Sequence, residues 1–189
     1  MRIQLDEGLG FFSLGQYEQA LVAFNSALEM DDQQPALWAN LGNTYSKLNQ
    51  SDQALESYEK AITIAPEDPT LYQNLGGIYA AMGNMEKAQE LYEQAVQLSA
   101  YGDPKDAAIN YYNMGVTFIN SGQTEKAVEA LQNAIEADPS HSEAYYQLGV
   151  CMLGLGQMED SVKNLQRYLE VSPEGPNAEV AKQLVNSLQ

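Results

Sequence analysis

Apolar and small side chains recur at intervals of three and four residues along most of the chain. This spacing places side chains on one face of an α-helix. Two such sets occupy the stretch 35–66: Trp38, Leu41 and Tyr45, followed by Ala54, Tyr58 and Ala61. Asn49 lies between the sets and tolerates the left-handed conformation found at helix ends. The pattern therefore predicts two short amphipathic helices packed antiparallel.

The glycine in the middle of this unit returns at a fixed spacing. Gly8, Gly42 and Gly76 are 34 residues apart, and Gly115 and Gly149 are again 34 residues apart. The residues at the predicted end of each first helix share tolerance for a positive φ. They are Gly15, Asn49, Gly83, Gly122 and Gly156. The sequence thus predicts five copies of one helical hairpin.

The segment W-x-x-L-G-x-x-Y at 38–45, with the Ala, aromatic, Ala and Pro that follow it, resembles the tetratricopeptide repeat. The resemblance implies an all-α fold, a right-handed superhelix of helix pairs, which is the tetratricopeptide-repeat solenoid. The predicted repeats are 1–34, 35–68, 69–102, 108–141 and 142–175, and 176–189 is predicted to be a C-terminal capping helix.

Departures from the repeat indicate where the stacking changes. Gln4 and Glu7 replace apolar residues in the first repeat, so this repeat is either an N-terminal cap or one whose neighbour has been removed. Asp103 and Pro104 form an N-cap and first-turn pair, which predicts an early start for the first helix of repeat 4. The stripe predicted to cover the last repeat is Val180, Leu184, Val185 and Leu188.

Charge excludes several classes of partner. The chain has 9 basic and 26 acidic residues, a formal net charge of −17. Phosphate backbones and anionic lipids would repel such a protein, so we expect neither a nucleic-acid nor a membrane-inserted role. The sequence has no apolar run long enough to span a bilayer and no apolar signal-peptide core. These features favour a soluble cytoplasmic protein, unless a targeting segment has been removed.

Catalytic and metal-binding motifs are missing from the sequence. A glycine-rich phosphate loop, G-x-S-x-G, H-E-x-x-H and CxxC are all absent. The single cysteine, Cys151, is expected to be buried, and the single histidine, His141, is expected in a surface loop. We therefore expect a protein that is not an enzyme and that has no metal or cofactor.

The resemblance implies that the first helices face a concave groove that holds a peptide ligand. At the sixth position, the first repeat has Asp6, and repeats 2 to 5 have the carboxamides of Asn40, Asn74, Asn113 and Gln147. Carboxamides pair with the donors and acceptors of an extended peptide backbone. The other residues predicted to bind the peptide are Asn43, Tyr112, Tyr146, Val116, Val150, Ile119 and Leu153. Two alternatives remain open: asparagine is common at this position of the repeat, and the tyrosines could pack against neighbouring helices.

Taken together, these features predict a non-enzymatic scaffold whose partner is a protein or peptide. The partner would contribute an extended or helical segment. Two alternatives are a self-assembling, homo-oligomeric module and the recruiting arm of a larger multidomain protein.

Overall fold

The computed structural model describes residues 2–99 and 103–188. Within those ranges the fold is all-α, as predicted, with eleven helices and no strand. The helices are α1 (Arg2–Ser13), α2 (Tyr17–Leu28), α3 (Pro35–Lys47), α4 (Ser51–Ile64), α5 (Pro69–Ala81), α6 (Met85–Ser99), α7 (Pro104–Asn120), α8 (Thr124–Ala137), α9 (Ser142–Gly154), α10 (Met158–Val171) and α11 (Ala178–Leu188).

The helices form two compact units. The first unit ends at Asn84 and contains α1 to α5, and the second begins at Met85 and contains α6 to α11. Consecutive helices pack on one another within each unit, α1 on α2 and α3 on α4 in the first, α7 on α8 and α9 on α10 in the second. The limits assigned to the individual repeats stay a prediction.

The two helices of a pair approach closely because a glycine of one faces a large side chain of the other. A Cβ atom on Gly42 would lie 2.6 Å from two carbons of the Tyr58 ring. Three other glycines at this position make the same kind of approach. The closest atoms belong to Phe24 opposite Gly8, Leu131 opposite Gly115 and Leu165 opposite Gly149.

The turns within the pairs have the backbone conformation expected from the sequence. Asn49 has a φ of 58°, and the four glycines at the matching positions have φ between 73° and 81°. After α3, the Gln50 amide donates to the Tyr45 carbonyl at 2.9 Å, which satisfies a carbonyl at the end of the helix.

Helix α7 begins about one turn before the predicted start of its repeat, as Asp103 and Pro104 indicate. The Asp103 side chain accepts a hydrogen bond from the Lys105 amide at 2.9 Å, and Pro104 is the first helical residue. Ala100, which replaces the proline expected at the end of repeat 3, lies outside the described residues.

Helix α11 covers one side of α10. Tyr168 is fully buried beneath it, and the Tyr168 hydroxyl accepts a hydrogen bond from the Asn177 amide at 2.9 Å. The predicted stripe is wrong at Val180, which is 45% exposed. The buried residues of α11 are Ala178, Ala181 and Val185. Val180 is about 140° around the helix from Val185, so it lies outside the face that Ala178, Ala181 and Val185 form.

Candidate functional site

The predicted peptide-binding residues occur in both units. Asn40, Asn43 and Asn74 belong to the first unit. The residues in the second unit are Tyr112, Asn113, Val116, Ile119, Tyr146, Gln147, Val150 and Leu153. Each set is therefore described within its own unit.

In the first unit, the hydroxyl of Tyr58 connects two of the predicted asparagines. The Tyr58 ring is fully buried on α4, opposite Gly42. Its hydroxyl donates to the Asn43 Oδ1 atom at 2.7 Å, and the Asn74 side chain of α5 lies near the same hydroxyl. Burial raises the pKa of Tyr58, and the hydrogen bond with Asn74 opposes that rise. One buried phenol thus joins α3 to α5.

This arrangement orients the Asn43 amide directly. A tyrosine hydroxyl has one proton, and here Asn43 accepts it, so the Asn74 amide can approach the same oxygen only as a donor. The NH2 group of Asn43 and the carbonyl oxygen of Asn74 remain for other partners. Both residues are half-buried, so one donor and one acceptor lie at the surface of the unit.

The role of Tyr58 was missed by the sequence analysis, which placed it only in the helical core. The sequence does contain a feature that indicates this role. Phe24, Leu131 and Leu165 occupy the matching position in other repeats and have no hydroxyl. Asn43 is also the only amide at the ninth position of the repeats. Two polar groups found together in one repeat indicate a hydrogen bond between its helices.

Asn40 lies on α3, one turn before Asn43, and is half-buried. A spacing of three residues places the two side chains on the same side of the helix. The backbone carbonyl of Asn40 accepts from the Thr44 hydroxyl at 2.6 Å. Its side chain is therefore placed beside the Asn43 amide on the face of α3.

In the second unit, Tyr112 of α7 is brought to the start of α9. The Tyr112 and His141 rings lie 4.8 Å apart between centroids, and Gln147 is hydrogen-bonded to the Tyr112 side chain. Burial and the nearby charge of Glu143 raise the pKa of Tyr112, whereas the hydrogen bond from Gln147 lowers it. Two predicted site residues, Tyr112 and Gln147, are thus held together.

His141 lies in the loop that joins α8 to α9, as expected, but its side chain is not simply solvated. His141 is half-buried and caps α9, where its Nδ1 atom accepts from the Ala144 amide at 3.3 Å. A helix N-terminus has unpaired amides, and the imidazole satisfies one of them. The sequence analysis missed this cap because histidine is not among the usual N-cap residues.

Glu143 is a second residue of this face that the sequence analysis did not select. Its Oε2 atom accepts from the Asn177 side chain at 2.8 Å, which connects α9 to the residue before α11. Its Oε1 atom is buried and has no hydrogen-bond partner among the described residues. The carboxylate lies in the first turn of α9, where the helix dipole favours a negative charge.

Tyr146 is partly committed to the core, as the alternative interpretation proposed. Its ring lies 5.4 Å from that of Tyr168, between centroids, and packs on the cluster beneath α11. Val150 is 37% exposed. The other predicted residues of this unit are half-buried: Asn113, Val116, Ile119 and Leu153. Cys151 is buried, as expected.

The described residues contain neither a candidate metal site nor a candidate membrane span. The described part of the chain has no group of three or more His, Cys, Asp or Glu side chains placed to hold a metal ion. None of its helices is both long enough and apolar enough to cross a membrane.

Family models for the tetratricopeptide repeat (TPR) match four overlapping stretches of the sequence. They cover residues 8–49, 35–68, 68–140 and 115–186. The chain is a tetratricopeptide-repeat protein. A search of curated proteins found no match.

Solved structures show the same fold. PilF of Pseudomonas aeruginosa is similar with a TM-score of 0.82 at 17% identity, over 99% of this chain and 87% of PilF. MamA is similar with a TM-score of 0.74 at 24% identity, over 94% of this chain and 93% of MamA. YrrB, described as a TPR protein with an unusual peptide-binding site, has a TM-score of 0.70 at 23% identity, over 95% of this chain and 90% of YrrB.

TPR proteins bind protein or peptide partners, and the TPR fold is in general that of a protein–protein interaction scaffold. The two faces described above lie on first helices of the repeats, at the positions where the TPR resemblance implies ligand contacts.

Proposed function

We propose that this TPR protein is a non-enzymatic scaffold that binds a segment of a partner protein on the first-helix faces of its units. The observation that carries the proposal is the pair of amides held by Tyr58. The free donor of Asn43 and the free acceptor of Asn74 match the carbonyl and amide of a peptide backbone. Because Tyr58 orients the Asn43 amide beforehand, less conformational entropy is lost when a ligand binds.

The face of the second unit would supply apolar contacts. Val150 is the most exposed of its apolar residues, and Val116 and Ile119 on α7 and Leu153 on α9 are half-buried. Tyr112 adds an aromatic ring that is held against the His141 ring at 4.8 Å between centroids. Such a surface would bury apolar side chains of the partner segment while the carboxamides pair with its backbone.

The experiment is a selection from a phage-displayed random peptide library on the intact chain, followed by titration of a selected peptide. Tyr58→Phe keeps the buried ring and removes the hydroxyl, so the Asn43 amide loses its fixed orientation. A hydrogen bond contributes about 1 kcal/mol, so we expect binding to weaken about fivefold or more. Asn74→Ala should weaken binding by a similar factor.

Tyr92→Phe is the matched control. Tyr92 occupies the position of Tyr58 in the next repeat and is also buried, so its replacement removes the same group from a similar environment. It should leave peptide affinity unchanged. If Tyr58→Phe and Asn74→Ala bound the selected peptides as tightly as the parent, with circular dichroism unchanged, the asparagine face would not be the binding site. Asn113→Ala tests the second unit in the same way.

A further inference from the structure

Glu143 lies on the first-helix face of the second unit. Gln147 and Val150 follow it on α9 by four and seven residues, which places the three side chains on one side of the helix. Helix α7 contacts α9 and contributes Tyr112 to the same face. Burial and the charge of Glu143 both raise the pKa of the Tyr112 hydroxyl, so the carboxylate lies close to that residue. A negative charge is thus placed among aromatic, amide and apolar side chains.

One oxygen of the Glu143 carboxylate has no partner. Its Oε2 atom accepts from the Asn177 side chain at 2.8 Å, whereas its Oε1 atom is buried and accepts no hydrogen bond among the described residues. Two other buried side-chain oxygens share this condition in the described part of the chain, in Gln4 and Asn110, and both belong to neutral amides. An unpaired oxygen costs more when it carries charge. The Glu143 carboxylate therefore gains more than either amide from a donor that a partner brings.

The basic residues of the neighbouring helices do not neutralise Glu143. It forms no ion pair within the described ranges. Helices α7, α9 and α11 contain two basic residues, Lys105 and Lys182. Lys182 pairs with Glu179 at 2.7 Å. The charge of Lys105 acts on Asp138, which lies in the loop between α8 and α9. The carboxylate is therefore able to pair with a cation from another molecule.

The imidazole of His141, two residues before Glu143, supplies no counter-charge in this arrangement. Its Nδ1 atom accepts from the Ala144 amide at 3.3 Å, so its proton is on Nε2 and the ring is neutral. The ring packs against Tyr112 at 4.8 Å between centroids. The imidazole therefore acts as a support for Tyr112 and leaves the charge of Glu143 uncompensated.

Ile109 and Tyr112 provide a surface suited to a long cationic side chain. Ile109 precedes Tyr112 by three residues on α7, which places both on one side of that helix, and it is 37% exposed. The methylene groups of lysine and arginine pack on apolar surface while their charged ends contact polar groups. An aromatic ring also attracts a cation. The two residues thus add apolar and aromatic contacts near the carboxylate.

We propose that Glu143 selects a lysine or arginine side chain in the partner segment that binds the second unit. This inference rests on the proposed function, because it names the residue that the face would recognise in that segment. The ammonium or guanidinium group would donate a charge-assisted hydrogen bond to Oε1, beside the Tyr112 ring. The terminal torsion of a glutamate is soft, so a small rotation turns Oε1 toward the ligand.

The probes are pools of short peptides that are acetylated at the N-terminus and labelled with fluorescein at the C-terminus. The central residue of each pool is fixed as arginine, lysine, citrulline or glutamate, and the other positions vary among uncharged residues. Citrulline is the neutral analogue of arginine. By fluorescence anisotropy with the intact chain, we expect the arginine and lysine pools to bind about tenfold more tightly than the citrulline pool. The glutamate pool should bind most weakly, and added salt should reduce these differences.

Variants of the chain locate the site. Glu143→Gln removes the charge and keeps an oxygen that can accept from Asn177, so it should fold and bind the arginine and citrulline pools equally. Glu125→Gln is the matched control, because Glu125 lies in the first turn of α8 and is exposed. It should leave the preference for arginine unchanged. Asn177→Ala breaks the contact with Glu143 but keeps the carboxylate, so the preference should remain.

Four results would overturn the proposal. They are equal affinity for the arginine and citrulline pools, no detectable binding of any pool, a preference for arginine that persists in Glu143→Gln, and a preference that Asn177→Ala abolishes as fully as Glu143→Gln does. The last result would mean that Glu143 acts only by holding Asn177. A citrulline pool with a free N-terminus adds another test. If it bound as tightly as the arginine pool, and only when Glu143 was present, the carboxylate would recognise a peptide amino group and the side-chain assignment would be wrong.

The asparagine face of the first unit is tested separately by the same pools. Asn74→Ala should weaken every pool by a similar factor and leave the ratio between arginine and citrulline unchanged. If Asn74→Ala and Tyr58→Phe had no effect while Glu143→Gln abolished the preference, the asparagine face would fail and selection by Glu143 would stand. Weakening by Asn74→Ala without a preference for arginine would have the opposite meaning.

Discussion

The close approach of Gly42 to Tyr58 makes the Gly42→Ala substitution a sensitive test of the packing. The added methyl would lie 2.6 Å from two ring carbons, 0.8 Å short of the 3.4 Å at which ordinary contact begins. The ring has little room to move away. It is fully buried, and its hydroxyl is held at 2.7 Å by the Asn43 Oδ1 atom.

The expected magnitude is the difference between two opposing effects. Overpacking by one methyl costs about 1–3 kcal/mol. The upper part of this range applies because the Tyr58 ring is buried and its hydroxyl is hydrogen-bonded to Asn43. Alanine in place of glycine within a helix stabilises by about 0.8–1.0 kcal/mol. We therefore expect Gly42→Ala to lower the free energy of unfolding by about 1–2 kcal/mol.

Urea unfolding measures this change, with the fluorescence of Trp38 as the probe. Trp38 is the single tryptophan of the chain and lies on α3 with Gly42, so its signal reports on the first unit. Gly10→Ala is the matched control, because a Cβ atom on Gly10 meets no atom within 4 Å. It should stabilise the unit by up to about 1 kcal/mol. A Gly42→Ala protein as stable as the parent would refute the packing argument.

Three further predictions concern stability. Asn110→Leu removes the hydrogen bond from Asn110 Nδ2 to the Asp106 carbonyl, 3.0 Å, which contributes about 1 kcal/mol, and also removes the buried Oδ1 atom, whose lack of a partner among the described residues costs about 1–3 kcal/mol. The variant should therefore be more stable by about 1 kcal/mol in urea unfolding, and a destabilised variant would contradict this. Burial raises the pKa of Tyr92 to about 12. The folded protein thus keeps a proton that the unfolded chain loses near pH 10, and the contribution of Tyr92 to stability, complete below about pH 10, should be lost as the pH rises to about 12; a similar alkaline loss in Tyr92→Phe would contradict this origin. Val185→Asp should destabilise by about 2 kcal/mol or more on thermal or urea unfolding, whereas Val180→Asp should have little effect, because Val185 is buried and Val180 is exposed; equal effects would place both residues on one face.

The fold was predictable because each repeat carries the same local signals. Gly42 and Asn49 are examples, since a close helix approach and a positive φ each restrict the residue type strongly. Asp103 and Pro104 likewise predicted the start of α7 without knowledge of any tertiary contact. These features depend on the sequence within one helix or one turn, which periodicity and capping rules describe well.

The candidate site was less predictable because its geometry depends on contacts between helices. Position in the repeat selected Asn43, Asn74 and Tyr112 but said nothing of their hydrogen-bond partners. The hydroxyl of Tyr58 and the imidazole of His141 act on residues of other helices, and helical periodicity does not encode such contacts. The prediction for Val180 was wrong for a related reason. The apolar residues of α11 allow more than one choice of buried face, and only the contact with Tyr168 shows which face is buried.

The pattern of helix packing also bears on how the chain folds. In the described residues, every extensive contact between helices joins elements no more than two places apart along the chain. Closing a short loop costs less entropy than closing a long one, and folding rates rise as contacting residues come closer in sequence. Each unit can therefore acquire its structure from neighbouring segments alone. In translation from the N-terminus, the first unit can begin to fold as soon as Asn84 has left the ribosome.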